Sequence, residues 1–177
     1  MARAWRFGDF VNTDQIIPGR YNVTTNPGEL GRSCFIELRP EFAQQVRPGD
    51  LIVAGEDFGC GSSREHAVIA IQAVGVAAVL AASFARIFYR NAINRGLPVL
   101  ECSLAGTVED GAEVELDPIR GTVRELATDR LLTTSPLPEF ATRIALHGGV
   151  LELVRAHGSL NGVCGPSCGP ALPAASQ

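Results

Sequence analysis

The sequence predicts a mixed α/β domain in which a central, mostly parallel sheet is flanked by helices and carries a peripheral β-hairpin. Short apolar runs alternate with helical segments between positions 51 and 101, and a stretch that alternates apolar and charged residues follows them. An alternation of strands and helices is typical of a parallel sheet, because each crossover helix returns the chain to the end where the previous strand began, so the next strand runs in the same direction. The length of 177 residues and the 46% hydrophobic content suit one domain with a packed core.

The first half of the chain supplies the predicted parallel sheet. Residues 51–54 form an apolar run after a Pro-Gly turn, and they predict a buried strand. A helix is predicted from His66 to Val74, and residues 76–81 predict the next strand. A second helix is expected to begin after a cap at Ser83 and to end at a Gly-Leu-Pro stop, followed by a short strand over 99–101.

The second half is predicted to be less regular. Residues 112–116 and 122–126 alternate apolar and charged side chains around an Asp-Pro turn, which predicts a half-exposed hairpin. Two short helices are predicted between positions 138 and 157, interrupted by a Gly-Gly pair. Residues 158–177 are rich in Gly, Pro, Ser and Ala and carry no charge, so we expect a flexible tail after a domain that spans residues 1–157.

The charged residues exclude several classes of function. All fifteen basic residues are arginine, so the chain has no lysine for a Walker A loop, a Schiff base or a Ser–Lys nucleophile pair. The net charge of −4 gives no general attraction to phosphate backbones, and nucleic-acid binding is not expected. No apolar run is long enough for a signal peptide or a membrane span, so we expect a cytoplasmic protein that does not bind a membrane.

The cysteines predict free thiols. The chain has five of them at irregular spacing, and an odd count in a cytoplasmic protein argues against a disulfide framework. Cys164 and Cys168, with His157 upstream, are the alternative, a metal site within the tail. Their spacing suits zinc poorly, so no metal is assigned to this chain.

A glycine-rich loop, residues 59–63, carries the clearest chemical signal, and we call it the serine loop. It ends in Ser62 and Ser63, and Arg64 follows at the start of the first predicted helix. A helix N-terminus with free N–H groups, two hydroxyls and a planar guanidinium suits a small anionic ligand. The alternative interpretation is structural, with one serine capping the helix and Glu65 completing a capping box. A serine hydrolase is disfavoured, because the spacing is not Gly-x-Ser-x-Gly and the chain has few histidines.

Three motifs resemble one known family. The strings Gly-Cys-Gly-Ser-Ser-Arg-Glu-His-Ala at 59–67 and Ser-Phe-Ala-Arg-Ile at 83–87 resemble the swivel domain of the aconitase superfamily. Asn-Thr-Asp-Gln-Ile-Ile-Pro at 12–18 and the stretch 88–98 resemble in particular the small subunits of 3-isopropylmalate dehydratase and homoaconitase. The resemblance runs from about Phe7 to His157 with the motifs in family order.

This resemblance implies an aconitase swivel-type β/β/α fold and a hydro-lyase that is active only with a larger partner. In the family, a hydroxy acid loses water to an alkene and regains it with the hydroxyl on the neighbouring carbon. The resemblance implies that the large subunit holds a [4Fe–4S] cluster and that this chain holds none. The implied substrate is a small hydroxy acid, most simply 3-isopropylmalate of leucine biosynthesis.

The resemblance also implies residue roles. Ser62 matches the general base, and Ser63 and Arg64 match positions that bind substrate or stabilise the base. Asp14 corresponds to an acidic catalytic position, and Arg20 is a candidate ligand for a substrate carboxylate. An ordinary turn role is the alternative for both Asp14 and Arg20. His66 is expected to be structural.

The specificity loop is defined as the short stretch that separates the substrate branches of the family; its residues are Tyr21, Asn22, Val23, Thr24 and Thr25. Val23 suits an aliphatic group better than a third carboxylate. Homoaconitate and dimethylmalate- or citramalate-type acids remain alternatives, and so does a non-catalytic anion-binding regulatory module on the same fold.

Arg86, Arg90 and Arg95 are predicted to form either a solvated helix face or part of an inter-subunit surface. The stoichiometry of the assembly and the role of the tail cysteines do not follow from the sequence.

Overall fold

One seven-stranded sheet organises the computed structural model, which describes residues 1–62, 64–118 and 120–157. The strands are β1 Ala2–Arg6, β2 Leu51–Ala54, β3 Ala78–Ala81, β4 Val99–Glu101, β5 Glu113–Asp117, β6 Thr122–Glu125 and β7 Arg130–Thr133. The helices are α1 Thr13–Ile16, α2 Pro27–Arg32, α3 Phe42–Gln45, α4 Glu65–Ala73, α5 Arg86–Arg95, α6 Glu139–Leu146 and α7 Val150–His157. The strand order is β4-β3-β2-β1-β5-β6-β7.

The sheet has a parallel half and an antiparallel half, and β1 joins them. Strands β4, β3, β2 and β1 are parallel neighbours, as the alternation of strands and helices predicts. On its other side β1 pairs antiparallel with β5, with Ala2 opposite Val114. The predicted hairpin is present as β5 and β6, and β7, which the sequence analysis did not predict, extends it to three strands.

The helices pack on one face of the sheet. Ile52 and Val79 point into the larger core, which includes the buried side chains of α4 and α5. Leu51 precedes Ile52 and Leu80 follows Val79, and both point into a smaller core on the opposite face. Since side chains alternate across a strand, both faces of β2 and β3 are buried, which explains their unbroken apolar sequence.

Two short helices begin at asparagine caps that the sequence analysis did not identify. Asn12 and Gln15 form a capping box at α1, in which each side chain accepts from the other residue's backbone N–H at 2.9 Å. Asn26 caps α2, where Pro27 occupies the first helical position. The Asn12 cap lies in the segment that bonds to the serine loop, because the N–H of Thr13 donates to the Cys60 carbonyl.

The predicted cap at Ser83 is wrong. Helix α5 has Ala85 at its N-cap, without a side-chain hydrogen bond. The Ser83 hydroxyl instead accepts the backbone N–H of Asp57 at 2.9 Å, which ties the segment after β3 to the segment after β2. In the part of the chain that the structure describes, no helix is both long and apolar enough to cross a membrane.

Candidate active site

The serine loop leaves the carboxyl end of β2 and is bonded to the segment that follows β1. Gly59 donates its N–H to the carbonyl of Val11 at 2.7 Å, and the Cys60 carbonyl accepts the N–H of Thr13 at 2.9 Å. Gly59 and Gly61 have φ values of 81° and 91°, a region that favours glycine. A Cβ at Gly59 would lie only 2.2 Å from Cγ of Phe88, so the loop is held tightly against α5.

Ser62 is exposed at the end of this loop. Its carbonyl accepts the Thr13 hydroxyl at 3.2 Å and the N–H of Arg64 at 2.8 Å, while its own hydroxyl bonds to no residue that the structure describes. Helix α4 begins at Glu65 with Arg64 as its N-cap, and the Arg64 side chain makes no capping hydrogen bond. The structural alternative, in which one of the two serines caps the helix, is therefore wrong for Ser62. Ser63 lies outside the described residues, so that alternative is not tested there.

Arg64 is held beside Ser62 by Asp14. The guanidinium Nη1 bonds to the Asp14 carboxylate, and the two side chains are 27% and 56% exposed. Gly19 lies next to this pair, since a Cβ there would be 3.5 Å from both Arg64 Nη1 and Asp14 Oδ1. The structure thus brings together the predicted site residues Asp14, Ser62 and Arg64 through the parallel pairing of β1 and β2.

Arg20 lies next in sequence to Gly19, but its side chain does not bond to Asp14 or Arg64. The guanidinium bonds to Glu37 and lies 4.8 Å from the centre of the Tyr21 ring. Glu37 was not identified from the sequence, because it is separated from the recognised motifs and carries no pattern of its own. A substrate carboxylate that binds Arg20 would share the guanidinium with Glu37.

The specificity loop is partly anchored and partly free. Tyr21 packs against the larger core, and the Thr24 hydroxyl accepts the N–H of Asn26 at 3.1 Å. The Asn22 side-chain oxygen is buried without a hydrogen-bond partner among the described residues. Val23 is 89% exposed, and Thr25 is also exposed. The loop therefore presents an apolar side chain that contacts little of this chain.

Arg95 has a structural role and does not form a solvated face. Its backbone carbonyl accepts the Gln72 side-chain amide at 2.8 Å, and its guanidinium lies 3.5 Å from Glu65. These contacts tie the end of α5 to both ends of α4. Because Glu65 begins α4, they support the helix that follows the serine loop. Arg86 and Arg90, the other two arginines of α5, are exposed.

The described cysteines do not form a cluster-binding set. Cys34 and Cys102 are buried, and burial raises the pKa of the Cys34 thiol far above its ordinary value. Cys60 is half-buried in the serine loop, where burial and the nearby Asp57 charge raise its pKa, so the thiol is protonated at neutral pH. Within residues 1–62, 64–118 and 120–157, no three His, Cys, Asp or Glu side chains are grouped as metal ligands. Cys164 and Cys168 lie outside the described residues.

The candidate site lies on an open edge of the sheet. A cavity of about 670 Å³ lies at the opposite edge, where Gly49, Ala77 and Pro98 precede the parallel strands. Polar groups of the candidate site instead follow β1 and β2 at their carboxyl ends, where parallel α/β sheets bind ligands. An open site with an exposed hydroxyl and an adjacent guanidinium is chemically suited to a carboxylate ligand, but it does not enclose one.

Comparison with known proteins gives a consistent result. The aconitase C-terminal domain family matches residues 12–104. The chain is 50% identical over 156 residues to 3-isopropylmalate dehydratase small subunit 1 of Archaeoglobus fulgidus, covering 88% of this chain and 97% of that protein. It is 53% identical over 157 residues to the small subunit 1 of Methanopyrus kandleri, covering 88% and 92%. A crystal structure of 3-isopropylmalate dehydratase from Methanocaldococcus jannaschii matches with a TM-score of 0.85 and 42% identity, over 91% of this chain and 96% of that one.

Proposed function

This chain belongs to the aconitase C-terminal domain family and, within it, to the small subunits of 3-isopropylmalate dehydratase, and on that premise we propose that it supplies the general base of the dehydratase. The observation that carries the proposal is the exposed Ser62 hydroxyl on a glycine loop beside Arg64, which Asp14 holds in place. The enzyme is a hydro-lyase, and this chain is one of its two kinds of subunit.

Ser62 needs strong electrostatic assistance to act as a base. A serine hydroxyl is a very weak acid, so its anion forms at neutral pH only where the surrounding potential favours negative charge. The N-terminus of α4 contributes such a potential, because its first N–H groups and the helix dipole point towards the serine loop. Arg64 adds a positive charge, which its ion pair with Asp14 partly offsets. Exclusion of water by a partner would strengthen both contributions.

The proposed reaction removes a proton from carbon and a hydroxide from the neighbouring carbon. Ser62, as its alkoxide, accepts the proton from the carbon next to a carboxylate, and hydroxide leaves the neighbouring carbon, which gives the alkene, hydroxide and the neutral Ser62 hydroxyl. Re-addition of hydroxide at the other alkene carbon, with Ser62 returning its proton to the carbon that lost hydroxide, gives the isomer. When bound, the iron–sulfur cluster of this family supplies a Lewis acid for the departing hydroxyl. Arg64, with Ser63 and Arg20, binds substrate carboxylates in this proposal, and Asp14 orients Arg64.

We propose that the large subunit holds the cluster. The name "small subunit" carried by the relatives implies a larger partner. The described part of this chain offers no grouped metal ligands. The face that exposes Ser62 is the face that would meet that partner, because the proposed base must reach a substrate held at the cluster.

The proposed substrate is 3-isopropylmalate, and the exposed Val23 supports it. An aliphatic side chain offers apolar contact to the isopropyl group, and it offers no charge to a third carboxylate such as that of homoaconitate. The relatives are named for the same substrate. No observation on this chain favours the other hydroxy acids or a non-catalytic regulatory module.

The proposal is tested by reconstitution under anaerobic conditions with the large subunit of the same organism. We expect no isomerisation of 3-isopropylmalate by either subunit alone and turnover by the mixture. Ser62→Ala should abolish turnover while the two subunits still associate. Ser103→Ala, which removes an exposed hydroxyl from a turn after β4, is the matched control and should retain activity. Full activity of the Ser62→Ala enzyme would refute the assignment of the base.

A further inference from the structure

Two arginines near the start of α5 have no ionic partner within the described part of the chain. Arg86 and Arg90 are both exposed, and neither forms an ion pair with any residue in 1–62, 64–118 or 120–157. Arg39 and Arg64, by contrast, each bond to a carboxylate of this chain. Positions four apart lie on the same side of a helix, so the two charges of α5 are neighbours that repel each other.

The position of Arg86 in the helix adds to this repulsion. The N-cap Ala85 makes no side-chain hydrogen bond, and the first turn of α5 contains no acidic residue. A cation at the N-terminus of a helix is unfavourable, because the helix dipole is positive there. The two arginines therefore do not stabilise the isolated chain through ion pairs. Charged side chains without an oppositely charged partner in their own chain are expected at sites that contact another molecule.

Other side chains turn this positive surface into a recess. Arg86, Arg90, Phe84, Tyr89 and Glu101 line a depression of about 270 Å³. Burial and the Glu101 charge raise the pKa of Tyr89, so its phenol remains a hydrogen-bond donor at neutral pH. Glu101 reduces the net positive charge of the recess but bonds to neither arginine. Arginine and tyrosine are the residue types that most often anchor protein interfaces.

The recess lies on the same edge of the sheet as the serine loop. Phe84 follows β3, and it bridges to Phe58, which leads into the serine loop after β2. Glu101 is the last residue of β4. Ile87, on the first turn of α5, is 49% exposed and adds apolar surface beside the recess. If Ser62 faces the cluster, the surface around Ser62 must meet the large subunit. The recess is therefore continuous with that surface.

We propose that Arg86, Tyr89 and Arg90 form a docking surface for carboxylate side chains of the large subunit. The inference rests on the proposed function and adds to it the chemistry of the subunit contact. Charge complementarity identifies the occupant, because two unpaired guanidinium groups and a phenol donor match acceptor groups only. The substrate is proposed to bind at Arg64 and Arg20, on the segments after β1 and β2, so the α5 arginines serve association.

The test compares the affinity of this chain for the large subunit in charge variants. Arg86→Glu/Arg90→Glu should raise the dissociation constant at least about tenfold at low salt, since it replaces attraction by repulsion. The wild-type affinity should fall between about 50 and about 300 mM salt, and that dependence should be weaker in the variant. Arg120→Glu is the matched control. It reverses a charge that is 83% exposed in the turn after β5, at the opposite edge, and it should leave the affinity unchanged.

Two further measurements make each outcome decisive. Circular dichroism and thermal melting of the variants should match the wild-type chain, and Arg86→Lys/Arg90→Lys should retain most of the affinity because it keeps the charge. An unchanged dissociation constant in the glutamate variant would overturn the inference. An unchanged dissociation constant with a raised KM would also overturn it, since the arginines would then bind substrate. Failure of the wild-type chain to associate or to support turnover would contradict the proposed function itself.

Discussion

The Arg64 guanidinium bonds to the carboxylate of Asp14, fifty positions earlier in the chain. This contact exists because β1 and β2 are parallel neighbours, which brings the segments that follow them to one edge. Asp14 thereby restrains the guanidinium of the arginine that lies two positions after Ser62.

Arg64→Lys should lower kcat of the reconstituted enzyme by about 100-fold, because an ammonium group cannot bond to Asp14 and to a substrate carboxylate with the same planar geometry. Asp14→Asn should lower kcat by about tenfold with a smaller change in KM, because Arg64 is present but no longer held. Steady-state kinetics at saturating large subunit would measure both. Asp14→Glu, which keeps the charge, should recover part of the activity. An Asp14→Asn enzyme with normal kcat would contradict the positioning role.

Gly59→Ala should destabilise the chain much more than Gly61→Ala. Both positions have positive φ values, 81° and 91°, so both substitutions incur backbone strain of about 1 kcal/mol. Only at Gly59 would the new Cβ overlap Phe88, which adds about 2–3 kcal/mol of overpacking. The free energies of unfolding from urea denaturation would give the difference. Similar values for the two variants would mean that Phe88 moves aside freely.

Asp50→Asn should lower the free energy of unfolding at neutral pH by about 2 kcal/mol, because buried N–H groups lose a charged acceptor. Burial alone raises the pKa of Asp50, but bonds from the N–H groups of Arg47 and Arg3 and from the Trp5 indole outweigh it, and the pKa is lowered. A carboxyl with a lowered folded-state pKa stabilises the fold above its unfolded pKa, and this contribution is lost as pH falls through the folded value.

The difference between wild type and Asp50→Asn should therefore be constant above pH ~5 and shrink at lower pH. Denaturation curves at several pH values would measure it. Asp129→Asn, which removes an exposed carboxylate from the turn before β7, is the control and should have little effect at any pH. A difference that does not depend on pH would show that the charge of Asp50 is unimportant.

Val23→Arg should shift the substrate preference of the reconstituted enzyme. The exposed valine would be replaced by a cation at the specificity loop, so kcat/KM for 3-isopropylmalate should fall and kcat/KM for a substrate with a third carboxylate should rise, each by about tenfold. Val23→Leu keeps an apolar side chain and should retain the original preference. Equal effects on both substrates would place Val23 outside the specificity-determining contact.

Much of the fold could be predicted from periodicity, and the exceptions have physical causes. The predicted helix from His66 agrees with α4 to within one residue at each end, because an apolar run between a glycine loop and Gly75 has few alternatives. Strand β1 was not predicted, because two of its five residues are arginines and its place in the sheet depends on β2 and β5, which are distant in sequence. The Ser83 prediction was wrong because its hydroxyl bonds to Asp57 of another loop.

The candidate site, like the fold, could be predicted from the sequence only in part. The serine loop could be identified from the sequence, because glycines, hydroxyls and an arginine are consecutive there. The partners of Arg64 and Arg20 could not be identified in this way. Asp14 was identified by family resemblance, and neither its contact with Arg64 nor that of Glu37 with Arg20 leaves a local pattern, since both pairs are formed by the tertiary fold.

Strand β1 also bears on how the chain folds. Its two neighbours in the sheet come much later in the sequence, with Ala4 paired to Leu51 and Ala2 paired to Val114. Such distant pairings require large loops to close before they add stability, which slows folding. Until β5 has been synthesised, the first strand has one unpaired edge, and a nascent chain that stalls before that point would expose it to association with other strands.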